Sequence, residues 1–219
     1  GSHGLFSAFK LRKRTADAVL PRPVHTTLET TEKTVAIGAS TGGTEALREL
    51  LDALPVDCPG IVIVQHMPEH FTRSFAARLD SLCRLHVSEA VDGERVLPGH
   101  AYVAPGGRHL KLVRSGANYV AALDDGEPVN RHKPSVEVLF HSAAELCGPN
   151  AIGVMLTGMG GDGGHGMVMM KEAGAINIGQ DEATSVVYVM PKVAFELGAV
   201  HHVVPLNRIA DKVFQLVMT

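Results

Sequence analysis

"VAIGASTGGTEALRELL", residues 35–51, decides how the chain is read. A short apolar run, TVAIGA (34–39), gives way at a glycine-rich break to Ala46, Leu47, Leu50, Leu51 and Leu54, which recur at helical spacing. Strand, tight turn and helix make half of a unit whose next strand lies parallel to the first. The unit recurs with GIVIVQ (60–65) as a second buried strand, followed by Phe71, Phe75, Leu79 and Leu82, spaced to share one helical face. Between about 85 and 125 the rhythm changes. RVLPGHAYVAPGG, HLKLVR and NYVAALDDG are short segments separated by Gly, Pro, Asn and Asp turns, a pattern of antiparallel hairpins. Helix 135–147, strand 151–158, a helix from about 163 to 173, strand 175–180 and a last helix near 206–218 then restore the alternation. The expected architecture is α/β: a doubly wound, mainly parallel sheet with helices on both faces and an inserted antiparallel hairpin region.

Composition narrows the function classes. With 219 residues, 45% hydrophobic and 20% charged, the chain fits one compact domain with a tail. Twenty Lys and Arg against 23 Asp and Glu leave a formal charge of -3, so no nucleic-acid partner and no anionic membrane surface is expected. Cys58, Cys83 and Cys147 lie far apart without a Cys-x-x-Cys, which argues against a disulfide framework and a thiolate metal site, and fits a reducing, cytoplasmic compartment. No apolar run approaches the roughly 18 residues that would span a bilayer. Residues 1–33 read as a tag remnant, Gly1-Ser2-His3, followed by an interdomain linker: KLRKR, then PRPVHTTLETTEK, which carries little to bury. Residues 34–219 form the expected globular domain.

The glycine-rich break holds Ser40. Such a strand-to-helix turn exposes backbone N–H groups at the positive end of a helix, where either a phosphate or a transient oxyanion can sit. GASTGGT matches neither G-x-x-x-x-G-K-[ST] nor G-x-G-x-x-G, which weakens a nucleotide-binding module as the alternative. Gly38-Ala39-Ser40-Thr41-Gly42 does match G-x-S-x-G, the turn that presents a serine nucleophile, although a serine here could merely cap the helix.

A nucleophilic serine needs a base, and the base an orienting acid. In an open parallel sheet the loops after the strands share one rim, where ligands bind. Ser40 follows the strand 34–39, His66 follows 60–65 and Asp162 follows 151–157, so all three belong on that rim. His70 is expected inside a helix, His86 in a strand, His100 and His109 among the hairpins and His141 on a helix, while His132 and His165 lie near loops as lesser rivals. Asp181 also follows an expected strand and stays open as the acid. His66 and His70 have H-x-x-x-H spacing, but Met67 replaces the usual Glu and Pro68 marks a helix start, so no metal is expected, and hydrolysis by a serine, a histidine and an aspartate calls for no organic cofactor. The loop TGMGGDGG (157–164) is glycine-dense, which lets backbone approach a substrate, and an amide there could complete an oxyanion hole begun at Thr41.

IGASTGGTEALRELL, VIVQHMPEHFTRSFAARLD, DGERVLPGHAYVAPGGRHLKL, VNRHKPSVEVLFHSAA and GVMLTGMGGDGGHGM, in that order from about 34 to 205, resemble the catalytic domain of the bacterial chemotaxis receptor methylesterases, the CheB-type protein-glutamate methylesterases. The resemblance implies a triad of Ser40, His66 and Asp162, favours Asp162 over Asp181, and implies that Thr41 and Met159 line the site, with the Met159 amide as an oxyanion donor. It implies hydrolysis of glutamyl γ-methyl esters, and deamidation of glutamines, on the cytoplasmic helical region of methyl-accepting chemotaxis receptors. It further implies a phosphoaccepting receiver domain upstream. A non-catalytic receptor-binding regulator with a degenerate triad is the remaining alternative. Gly161 stands where relatives often carry Asn, and the triad positions are kept.

Overall fold

The computed structural model describes residues 31–219, so nearly all of the stretch read as tag remnant and linker lies outside the described residues. The strands are β1 (Thr34–Ala39), β2 (Gly60–Gln65), β3 (His86–Glu89), β4 (His100–Val103), β5 (His109–Ser115), β6 (Asn118–Asp124), β7 (Ala151–Met155), β8 (Ile176–Gln180) and β9 (His202–Val204). The helices are α1 (Gly43–Ala53), α2 (Thr72–Leu82), α3 (Val136–Cys147), α4 (Gly164–Glu172), α5 (Met190–Glu196) and α6 (Leu206–Val217). Seven strands form one sheet in the order β3-β4-β2-β1-β7-β8-β9, with every neighbouring pair parallel. From β1 at the centre the chain passes to β2, then to β3 at the edge, inserts β4 between them, and later returns beside β1 to build the other half from β7 to β9. Its switch point lies between β1 and β7, and the loops that follow these strands flank the crevice where such sheets bind ligands.

The core divides by the side-chain period of the strands. Val35, Ile37, Ile61, Ile63, Val154 and Ile178 meet Leu47, Leu50 and Leu51 of α1, Leu79 of α2, and Ile209 and Val213 of α6 on one face. Alternate residues, Ala36, Val62, Val64 and Met155, meet Phe140 of α3, Met167 and Met170 of α4 and Met190 of α5 on the other. Every residue of β1, β2 and β7 is buried, which is why these segments read as unbroken apolar runs. Leu47 is fully buried, and Leu47→Ala is expected to destabilise the fold by about 2–5 kcal/mol in a urea titration.

Three expectations need correction. Of the region 85–125, β5 and β6 form an antiparallel ribbon, joined by an antiparallel bridge between Arg95 and Val120, and it lies over α3 with the Leu112 amide donating to Ser142 Oγ at 2.9 Å. β3 and β4 instead extend the main sheet, in parallel. Short strands between turns suit either arrangement, and the partner of a strand is not written in its local pattern. The face expected for α2 is also rotated, because Phe71 precedes the helix and is 61% exposed, Leu82 is 48% exposed, and Thr72, Ala76 and Leu79 point inward. Thr72 is held inward by polar contacts: its Oγ1 donates to Glu89 Oε2 at 2.7 Å and accepts from the Gly106 amide at 2.9 Å. His70 lies in the turn before α2 with φ of 76°, not inside the helix. No helix among the described residues is long and apolar enough to cross a membrane.

Candidate active site

The site begins where β1 stops. The Ser40 amide donates to Thr157 O at 3.0 Å, and the Gly43 amide returns to Ser40 O at 2.7 Å, closing a turn in which Gly42 holds φ of 82° and α1 begins. A Cβ on Gly158 would stand 2.8 Å from Ser40 Cβ, so the loop after β7 packs directly against the serine. Gly158→Ala is expected to displace that loop and lower turnover, as read by activity at unchanged expression. On the other side, Ala39 pairs with Gln65, the His66 amide donates to Ala39 O at 3.0 Å, and Gln65 Nε2 donates to Ser40 O at 2.9 Å. Residues 40 and 66 therefore stand side by side on adjoining strand ends.

Asp162 reaches this point from the loop after β7. Its Oδ2 lies 2.7 Å from His66 Nε2, with the aspartate side chain fully buried and the imidazole 8% exposed. Burial pushes the Asp162 carboxyl up, but the His66 ring, through hydrogen bond and charge, with Asn130 and Ser135, outweighs it and holds the group below the usual carboxylate range. A carboxylate only accepts, so Nε2 carries the proton of this bond and Nδ1 keeps its lone pair in the neutral ring. His66 Nδ1 is buried with no partner among the described residues.

The remaining valence of Asp162 is filled. Oδ1 accepts from Ser135 Oγ at 2.7 Å, Asn130 Nδ2 at 3.0 Å and the Glu137 amide at 3.3 Å, while Oδ2 also accepts from the Val136 amide at 2.8 Å. Ser135 caps α3 and is itself propped by His109, whose Nδ1 accepts from the Ser135 amide at 3.2 Å and whose Nε2 donates to Glu127 O at 2.8 Å. Val129 and His132 close a tight turn in which Asn130 and Arg131 have φ of 51° and 70°. That turn lays the His132 ring flat on His66, with centroids 3.6 Å apart and planes 5° apart. Burial, then the charge of His66, push His132 below the ordinary histidine range.

Of the five residues singled out from sequence, His66 and Asp162 are joined directly and Ser40 stands beside them. Ser40 Oγ makes no hydrogen bond among the described residues, so the hydroxyl is not engaged by the imidazole in this structure. Thr41 and Met159 are exposed, and neither amide has a hydrogen-bond partner among the described residues. The Thr41 carbonyl is fixed by Thr157 Oγ1 at 2.9 Å. Asp181 is occupied elsewhere, accepting from the Thr184 amide at 3.1 Å in the turn after β8. Sequence reasoning missed Asn130, Ser135 and Glu137, and ranked His132 only as a lesser rival. The signal was present in VNRHKPSVE, where an Asn at a turn and a Ser before a helix are both placed to donate from side chains.

Glu137 adds a second buried carboxyl beneath Asp162, pushed up to about 7 first by burial and then by the Asp162 charge, against the amides that hold it. The folded state therefore binds this proton more tightly than the unfolded chain, whose ordinary value is 4.5, and stability contributed in acid is lost as pH rises from about 4.5 to about 7. Glu137→Gln is expected to flatten that loss, measured as urea midpoints across this range.

A family model described as CheB methylesterase matches residues 35–213. The protein-glutamate methylesterase/protein-glutamine glutaminase 1 of Geobacter metallireducens is 61% identical over 203 residues, covering 93% of this chain and 56% of that protein. The protein-glutamate methylesterase/protein-glutamine glutaminase of Ralstonia nicotianae is 61% identical over 196 residues, covering 90% and 51% respectively. The chain thus spans about half the length of these curated relatives. The crystal structure of the Thermotoga maritima CheB methylesterase catalytic domain superposes with a TM-score of 0.83 at 42% identity, covering 86% of this chain and 100% of that one.

Proposed function

We propose, because the chain belongs to the CheB methylesterase family, that it hydrolyses glutamyl γ-methyl esters on the helical region of methyl-accepting chemotaxis receptors, releasing methanol, and deamidates receptor glutamines by the same route. The observation that carries this reading is the His66–Asp162 pair at 2.7 Å, enclosed by donors and set beside Ser40 at the switch point of the sheet. The names of the relatives support the substrate class.

In the proposed reaction the substrate carbonyl carbon takes the Ser40 oxygen, and the serine proton passes to His66 Nδ1, the nitrogen that Asp162 leaves free. Asp162 fixes the tautomer and stabilises the imidazolium. The unpartnered amides of Thr41 and Met159 receive the oxyanion. The carbon–methoxy bond then breaks, the imidazolium proton leaves with methanol, and water repeats the sequence on the acyl-enzyme to free glutamate and Ser40. Because the base must be neutral to act, the rate falls towards acid. On this reading a phosphoaccepting receiver domain, joined upstream through the linker, controls access to the site.

The test is incubation with receptor membranes carrying a radiolabelled methyl ester, followed by collection of the volatile product. Labelled methanol, released in proportion to enzyme, is the expected result. Receptor association with no methanol release would overturn the assignment in favour of a non-catalytic regulator.

A further inference from the structure

Glu137 is a charged side chain that the proposed reaction leaves unused, yet it is only 7% exposed. It sits in the first turn of α3, and its Oε2 accepts from the amide of Gly163, the N-cap of α4, at 2.9 Å. The carboxyl also lies against the next turn of α4, where a Cβ on Gly166 would stand 3.3 Å from Glu137 Oε1. In the opposite direction, Asp162, the residue before that N-cap, accepts from the Val136 and Glu137 amides at the start of α3 at 2.8 and 3.3 Å. Each helix start therefore receives the carboxylate carried by the other. A helix start offers unpaired N–H groups, so both carboxyl groups are held there by direct bonds. The two starts are also in contact: a Cβ on Gly163 would stand 2.4 Å from Val136 Cγ1, and one on Gly166 would stand 2.8 Å from Phe140 Cβ.

We propose that Glu137 is a positioning residue for this site, its side-chain oxygen locking the start of α4 onto the start of α3 so that Asp162 meets His66 at hydrogen-bond distance. The inference rests on the Ser40-His66-Asp162 reading above. Glu137 acts through Asp162 and through the loop that carries Met159, so its loss relaxes the geometry of the reacting groups more than the affinity for substrate.

The experiment compares the parent chain with Glu137→Ala and Glu137→Gln, using a small glutamyl methyl ester for turnover and proton NMR for the downfield signal of the proton shared by His66 and Asp162. Glu137→Ala is expected to lower kcat by about tenfold to a hundredfold with KM within about twofold, and to move the shared-proton signal. Glu137→Gln keeps an oxygen facing the Gly163 amide and is expected to recover most of both. Should the alanine variant fail to fold, Glu137→Asp, one methylene too short to reach Gly163, takes its place with the same expectation. Parental kcat and an unmoved proton signal in the shortened variants would overturn the inference, as would a loss that Gln does not rescue and that follows thermal stability alone. A Ser40→Ala variant that kept its turnover would overturn the triad instead, and the shared-proton signal, which needs no turnover, would still decide Glu137.

Discussion

Ser40→Ala is expected to reduce methanol release by a factor on the order of 10⁴ to 10⁶ while leaving the fold in place. The hydroxyl makes no hydrogen bond among the described residues, so its removal orphans no partner, whereas the Ser40 backbone, which holds Thr157 O and Gly43, is untouched. Activity and stability should therefore separate: a near-silent enzyme with a urea midpoint close to the parent. The measurement is turnover on methyl-labelled receptor membranes beside a denaturation curve of the same preparation. Retained turnover would remove the nucleophile from the mechanism.

Asp162→Asn should cost on the order of 10⁴ in turnover, and for a reason visible around the carboxylate. Ser135, Asn130, Val136, Glu137 and His66 all donate to it. An amide in its place offers one acceptor oxygen and turns an NH₂ toward donors, leaving buried N–H groups unpaired. The His66 proton then no longer has an acceptor at Nε2, the other tautomer gains population, and Nδ1 loses the lone pair that the reaction requires. Unlike the serine variant, this one should also lose stability, by a few kcal/mol on the scale of a broken buried polar network. Asp181→Asn is the control, because that carboxylate serves the turn at Thr184, and it should retain nearly full turnover. The reverse pattern, Asp162→Asn active and Asp181→Asn silent, would reassign the acid.

The parts of this fold legible in the sequence are those in which local period and tertiary environment agree. TVAIGA and GIVIVQ are apolar throughout because both faces of β1 and β2 are covered, and the leucines of α1 keep helical spacing because one stripe faces the sheet. Strand ends alone put Ser40, His66 and Asp162 on one rim, with Asp181 still open as the acid there, since parallel strands bring their following loops to one edge. What was not legible depended on partners distant in the chain. HAYV carries no mark telling whether it pairs with β2 or with a hairpin neighbour, and Thr72 turns inward only because Glu89 and Gly106 await it. The donors around Asp162 come from 130–137, a stretch whose turn and cap residues announce local structure but not the carboxylate they converge on.

The orientation of the His66 ring carries a consequence for chemical probes. In the proposed reaction, with Nε2 given to Asp162, the nitrogen left to take the serine proton is Nδ1, which adjoins the ring carbon attached to the rest of the side chain. Electrophilic affinity labels that bridge a serine and its neighbouring imidazole would have to alkylate close to the main chain, in a narrower approach than the outer nitrogen offers. Warheads shaped for hydrolases that present Nε2 should therefore react poorly here, and selective labels would need a shorter span between their two reactive carbons.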